Sequence, residues 1–138
     1  MQDYQKLTVW AKSHQLVLIL YEVTGATSDR TFPGLTSQIR RAAASIPANI
    51  AEGCGHESRA ELTRFLAMAL ASSYELNYHL RLAADLGMIQ KSDYARLGAR
   101  CELVQKMLTS FISKVKQKTA AQRPPARRPA IKPPSSSP

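Results

Sequence analysis

The sequence predicts an all-α protein: an antiparallel up-down-up-down four-helix bundle with a kinked second helix and a disordered C-terminal tail. Three observations carry that expectation. Apolar residues recur at spacings of three and four along four separate stretches. Short segments holding glycine, proline and polar residues divide the stretches. No run of alternating apolar and polar residues competes as a strand. The 138 residues suffice for one core, assigned to residues 1–118, and residues 119–138 form a basic tail rich in Pro, Ala and Ser. That tail holds Ile131 as its one large aliphatic residue, too little apolar surface to offset the entropy of ordering.

The first helix is expected from about Thr8 to Thr24, with Val9, Leu16, Leu20 and Val23 on one face and Trp10, Val17 and Tyr21 on an adjacent one. The continuous apolar run from Leu16 to Tyr21 is wider than one four-helix core covers, so part of it is expected to lie exposed on a monomer and to be hidden by oligomerisation. A first helix set deep in its own core is the alternative. Gly25 to Pro33, with Asp29 and Arg30, reads as a polar turn.

In the second helix Leu35, Ile39, Ile46 and Ile50 form one stripe, with Arg40, Arg41 and Glu52 off it. Pro47 lies mid-helix, where it removes a donor, strands the carbonyl of Ala43 and costs roughly 3 kcal/mol, so packing has to hold a kinked helix together. Ala42, Ala43, Ala44, Ala48 and Ala51 allow close approach of a neighbour, and Ser45 or Asn49 can satisfy the freed backbone group. The helix is expected to end near Gly53 and Gly55.

Ser58-Arg59-Ala60-Glu61 is a capping-box pattern for the third helix, whose stripe runs Leu62, Leu66, Ala69, Ser73, Leu76, Leu80 and Ala83, with Gly87 as its stop. Ser92 is expected to cap the fourth helix, with Leu97, Cys101, Val104, Leu108, Phe111 and Val115 inward. Connections of about five to ten residues favour antiparallel neighbours.

The stretch from Gly34 to Gly53, with its strings Ser-Gln-Ile-Arg-Arg-Ala-Ala and Ser-Ile-Pro-Ala-Asn-Ile-Ala-Glu-Gly, resembles the signature of the bacterial four helix bundle protein family. Its members include proteins encoded within 23S rRNA intervening sequences and the accessory variability determinant of diversity-generating retroelements. Asp3, Leu7, Val9, Trp10 and Lys12 resemble the family's opening, and Phe65-Leu66, Glu75-Leu76 and Leu86-Gly87 its third helix, so the likeness covers about residues 3–118. Cys54-Gly55-His56-Glu57 is less basic than the turn common in the family, and Ala71-Ser72-Ser73 stands where a glycine is common. The resemblance implies a homopentamer and, for the retroelement branch, a basic surface that engages a reverse transcriptase and its RNA.

A formal charge of +9, divided as +4 for the tail and +5 for residues 1–118, favours an anionic partner, with RNA or DNA ahead of a membrane surface or an acidic protein. The candidate contacts for nucleic acid or a partner protein are Arg40 and Arg41, Arg59 and Arg64, Arg96 and Arg100, and in the tail Arg123, Arg127, Arg128 and Lys132. The competing reading of these residues is a solvated helix surface. Tyr74, Tyr78 and Tyr94 can stack on bases, or pack at helix edges.

No apolar stretch approaches about 18 residues and the start lacks a secretory pattern, so a cytoplasmic protein is expected. Cys54 and Cys101 read as free thiols. Glu52 with His56 and Glu75 with His79 share a four-residue spacing, yet neither forms the Glu-x-x-His pairs of di-iron bundles, and no metal or other cofactor is expected. Ser37, Ser45, Ser72 and Ser73 lie in no nucleophile elbow and read as small packing residues, so no enzyme activity is expected. The sequence therefore reads as a noncatalytic nucleic-acid-binding accessory subunit. The alternative is a structural protein-interaction module encoded in an rRNA intervening sequence, with incidental basicity.

Overall fold

A computed structural model describes residues 2–25, 32 and 34–122. A short 3-10 helix, Tyr4–Lys6, precedes four helices: α1 (Thr8–Gly25), α2 (Leu35–Cys54), α3 (Arg59–Asp85) and α4 (Lys91–Gln122). There is no strand among the described residues. Asp29 and Arg30 of the expected turn, and the four tail cations, lie outside the described residues.

Each helix packs on two others, α1 on α2 and α4, and α3 on α2 and α4. Bonds between helix ends give their direction. Arg40 near the start of α2 reaches Tyr21 and Thr24 at the end of α1, and Arg59 at the start of α3 reaches the Lys118 carbonyl near the end of α4. Gln2 N–H donates to the Cys54 carbonyl at 3.0 Å, which ties the N-terminus to the end of α2. Around the centre, Leu16, Leu20, Ile39, Ile46, Ile50, Leu66, Leu76, Leu80, Leu97 and Leu108 are fully buried, one set from each helix. These are the residues of the expected stripes, because a spacing of three and four keeps them on one side of a 3.6-residue helix.

Local chemistry fixes both ends of α3. The Ser58 hydroxyl accepts from Glu61 N–H at 3.3 Å, satisfying one orphan donor of α3. At the other end Gly87 takes a φ of +74°, with Met88 N–H bonded to the Ala83 carbonyl at 2.8 Å and Gly87 N–H to the Ala84 carbonyl at 3.0 Å, the Schellman arrangement. Buried Met88 and Ile89 then carry the chain into the core. Here one expectation is corrected: Ser92 does not cap α4. Tyr94 N–H already bonds to the Gln90 carbonyl at 2.9 Å, so helical geometry starts at Lys91 and Ser92 lies in the first turn. The helix also runs to Gln122, four residues past the expected boundary, as Thr119, Ala120 and Ala121 hold no helix breaker and Pro124 is the first proline after Pro47.

Pro47 is buried inside α2. The side chains expected to reach the Ala43 carbonyl go elsewhere: Ser45 Oγ donates to the Ala42 carbonyl and Asn49 Nδ2 to the Ser45 carbonyl, each at 2.8 Å. Such side chains reach three or four residues back along a helix, and Ala43 is two back from Ser45 and six from Asn49. Buried Gly53 permits a close approach of α2 to α3, since a Cβ there would stand 2.9 Å from the Phe65 Cβ.

Candidate nucleic-acid interface

The six described candidate arginines divide between the two ends of the bundle. At the end formed by the starts of α2 and α4, Arg40 is half-buried and spends its donors inside the protein. Its Nε donates to Thr24 Oγ1 at 2.9 Å, and its guanidinium carbon sits 4.4 Å from the centre of the Tyr21 ring. Arg41 is exposed. Arg96 is held 3.7 Å from Asp93, and Arg100 follows one turn later, half-buried. Because α2 and α4 do not pack on one another, these two arginine pairs stand on different flanks.

At the opposite end are Arg59 and Arg64, separated from Arg41 by about 20 Å of helix. Arg64 pairs with Glu61 at 3.1 Å and lies 4.5 Å over the Phe65 ring, and its hydrogen bond holds the Glu61 carboxyl below the usual carboxylate range. Arg59 NH1 donates to the Lys118 carbonyl at 3.4 Å across the α3–α4 seam. Beside it a cleft of about 510 Å³ opens between the α2–α3 turn and α4, with Arg59, Lys114 and Lys118 in its lining.

Lys106, Lys114, Lys116 and Lys118, all exposed on α4, are among the cations that the sequence reading passed over. A signal for them exists in the sequence. After Glu102 the chain holds eight basic residues and no acidic one, so eight of the nine net charges fall in its last 36 residues. Dividing the charge at residue 118 splits that block and hides it. Four of the eight stand on α4, and Arg123, Arg127, Arg128 and Lys132 follow its end in sequence.

The α1 run is only partly covered. Leu16 and Leu20 are fully buried, whereas Leu18 is 57% and Tyr21 46% exposed, and Tyr74 and Tyr78 on α3 and Leu103 on α4 are exposed as well. Tyr94, by contrast, packs against the core. No helix among the described residues is long and apolar enough to cross a membrane.

The remaining candidates divide between core and surface: Ser73 is buried, Ser45 and Ser72 are half-buried, and Ser37, expected as a packing residue, is exposed with Glu52, His56 and Glu75. The Ser73 hydroxyl donates to the Leu70 carbonyl. Glu75 and His79 meet at 3.3 Å, while His56 instead stacks on Phe65. Among the described residues no three His, Cys, Asp or Glu side chains group closely enough to hold a metal ion. Cys54 and Cys101 are buried free thiols. Burial raises both, Cys101 to about 11.

Residues 5–110, most of the bundle including the Pro47 helix, match the family described as 23S rRNA-intervening sequence protein. The chain belongs to that family. Among solved structures it is similar to a crystal structure from Bacteroides thetaiotaomicron VPI-5482, described as a protein with unknown function from the S23 ribosomal protein family. The two share 27% identity with a TM-score of 0.71, over 76% of this chain and 98% of the other. No curated protein matches the chain. The family match stops inside α4 at residue 110, so of the cationic block after Glu102 only Lys106 falls within it.

Proposed function

We propose that this member of the 23S rRNA-intervening sequence family is a noncatalytic nucleic-acid-binding accessory subunit that works as a homo-oligomeric scaffold. The observation that carries the reading is the acid-free block after Glu102, with four exposed lysines on α4 and four further cations beyond it. Such a block neutralises phosphates without a base-reading motif, which favours binding to RNA with little sequence preference. Arg41, Arg64, Arg96 and Arg100 extend the contact surface. The partly uncovered apolar run on α1 supports self-association, and the resemblance makes a pentamer the state to look for and a reverse transcriptase the protein partner to try.

The test is RNA binding across a salt series, for the full chain and for a chain ending at Gln122. Single-stranded RNA should bind with a steep negative salt slope. Loss of the four cations should weaken binding and reduce the slope by at most about 3, at about 0.7 per phosphate neutralised. Absence of salt-dependent binding to RNA and DNA by the full chain would overturn the reading. In that case the exposed Leu18, Tyr21, Tyr74 and Tyr78 favour the second reading, a structural protein-interaction module.

A further inference from the structure

We infer that the cleft between the α2–α3 turn and the end of α4 is a binding site for a nucleotide carrying a phosphomonoester, supplied as a free mononucleotide or as the phosphorylated end of a nucleic-acid strand. The strand-end source rests on the nucleic-acid reading above, and the free-nucleotide source does not.

The first support is charge. Three cations from two helices, Arg59, Lys114 and Lys118, share the lining of this one cleft with a single carboxylate, Glu57. A phosphomonoester carries about −1.5 to −2 at neutral pH, against −1 for a phosphate inside a strand, so an excess of two positive charges favours the terminal group. The Ser58 hydroxyl already occupies Glu61 N–H, one of the orphan donors of α3, and recognition is assigned here to the side-chain cations. The Arg59 bond to the Lys118 carbonyl fixes the guanidinium where α3 meets α4, and a planar guanidinium in fixed position suits a phosphate with several equivalent oxygens.

Size and floor supply the second support. About 510 Å³ is within the usual range for a small-molecule site. Leu62, Phe111 and Val115 give the cleft an apolar floor, and Gln2, pinned through its N–H to the Cys54 carbonyl, borders it. His56 lines the same cleft with its ring parallel to Phe65, at 5.1 Å between centres and 15° between planes. His56 is exposed, so a base can stack on the face turned away from Phe65, as bases do on aromatic and histidine rings in single-strand binders. Phosphate recognition and a stacking ring thus border one cavity, whereas at the other end the Arg40 guanidinium is committed to Thr24 and Tyr21.

The experiment uses the full chain and three probes: AMP, with adenosine as control, and one fluorescent RNA oligonucleotide made with a 5′-phosphate or a 5′-hydroxyl. The expected result is that AMP binds where adenosine does not. The phosphorylated strand should bind about three- to fivefold tighter than its hydroxyl twin, the factor that one extra exposed charge contact supports. Lys114→Gln with Lys118→Gln changes only exposed side chains and should remove both preferences while the helical melting curve stays unchanged; Arg59→Gln should act likewise. AMP binding without end preference assigns the site to free nucleotides, and end preference without AMP binding assigns it to strand ends. Equal affinity for the two strands together with no AMP binding overturns the inference and leaves the nucleic-acid reading intact. If neither strand binds, the strand-end source fails, and AMP binding alone, lost in the double lysine variant, still upholds the cleft.

Discussion

Arg40 Nε donates to the Thr24 hydroxyl at 2.9 Å, and that hydroxyl in turn donates to the Leu20 carbonyl at 2.8 Å, so a charged residue of α2 is joined to the backbone of α1 through a buried threonine. Arg40 thereby acts as a tie between helices. Its neighbour Arg41, about 100° further round the helix, faces solvent. The two adjacent arginines should therefore separate by experiment. Arg40→Met should lower stability by about 1–2 kcal/mol, by loss of a hydrogen bond to a buried acceptor. Arg41→Glu should leave stability within about 0.5 kcal/mol and weaken RNA binding instead. Urea melts and RNA titrations on each variant check the division, and equal melting midpoints for both would contradict it.

Leu76 is fully buried on the α3 stripe. Leu76→Asp places a carboxylate among apolar side chains with no partner, and a loss of about 3–5 kcal/mol is expected, enough to unfold a bundle of ordinary stability. Circular dichroism at 222 nm reads it directly.

Two glycines should respond in opposite directions to the same change. Gly53→Ala forces a methyl group against the Phe65 Cβ and Leu62 Cδ1, at 2.9 and 3.2 Å, and should cost about 1–3 kcal/mol as α2 and α3 move apart. Gly98 lies inside α4 with nothing within 4 Å of an added Cβ, so Gly98→Ala should stabilise by about 0.5–1 kcal/mol. Paired thermal melts decide both, and a stabilised Gly53→Ala would show that the seam is looser than described.

Cys101 gives a pH dependence with a definite sign. Burial raises its thiol from an ordinary 9.0 to about 11, so between those values the unfolded chain has lost a proton that the folded chain keeps. Its contribution is fully present below pH 9.0 and declines as pH rises toward about 11. Cys101→Ala should flatten that alkaline decline relative to wild type, apart from the offset caused by the lost side chain. Denaturant titrations at intervals across that window provide the check. A thiol reagent at neutral pH should also label Cys101 only on unfolding.

The partly uncovered α1 run should report on assembly. Leu18→Glu adds a charge at an exposed apolar position while Leu16 and Leu20 stay buried. Light scattering is expected to give a homo-oligomer for wild type and a smaller species for the variant, with helicity kept. A wild-type mass of about one chain at micromolar concentration would defeat the oligomer expectation.

Where helices begin and end was largely legible because the determinants are local. Ser58 three residues before Glu61 and Gly87 after Leu86 each satisfy orphan backbone groups within a turn of themselves. Ser92 misled for a related reason. It is a good cap by residue type, yet the buried Met88 and Ile89 ahead of it set the start of α4 two residues earlier than a Ser92 cap allows. The charge block after Glu102 was equally present in the sequence, and dividing the charge at residue 118 concealed it.

By itself, the sequence determined four amphipathic helices, the stripes that form their core, and an excess of cations toward the C-terminus, since periodicity, capping and charge are properties of neighbours along the chain. Only the tertiary structure decided which cations meet. Arg59 and Lys118, separated by 59 positions, border one cleft, whereas Arg40 turns inward to Thr24 while adjacent Arg41 does not. Burial of the shared core rotates each helix about its own axis, and that rotation assigns every off-stripe side chain either to a seam or to solvent.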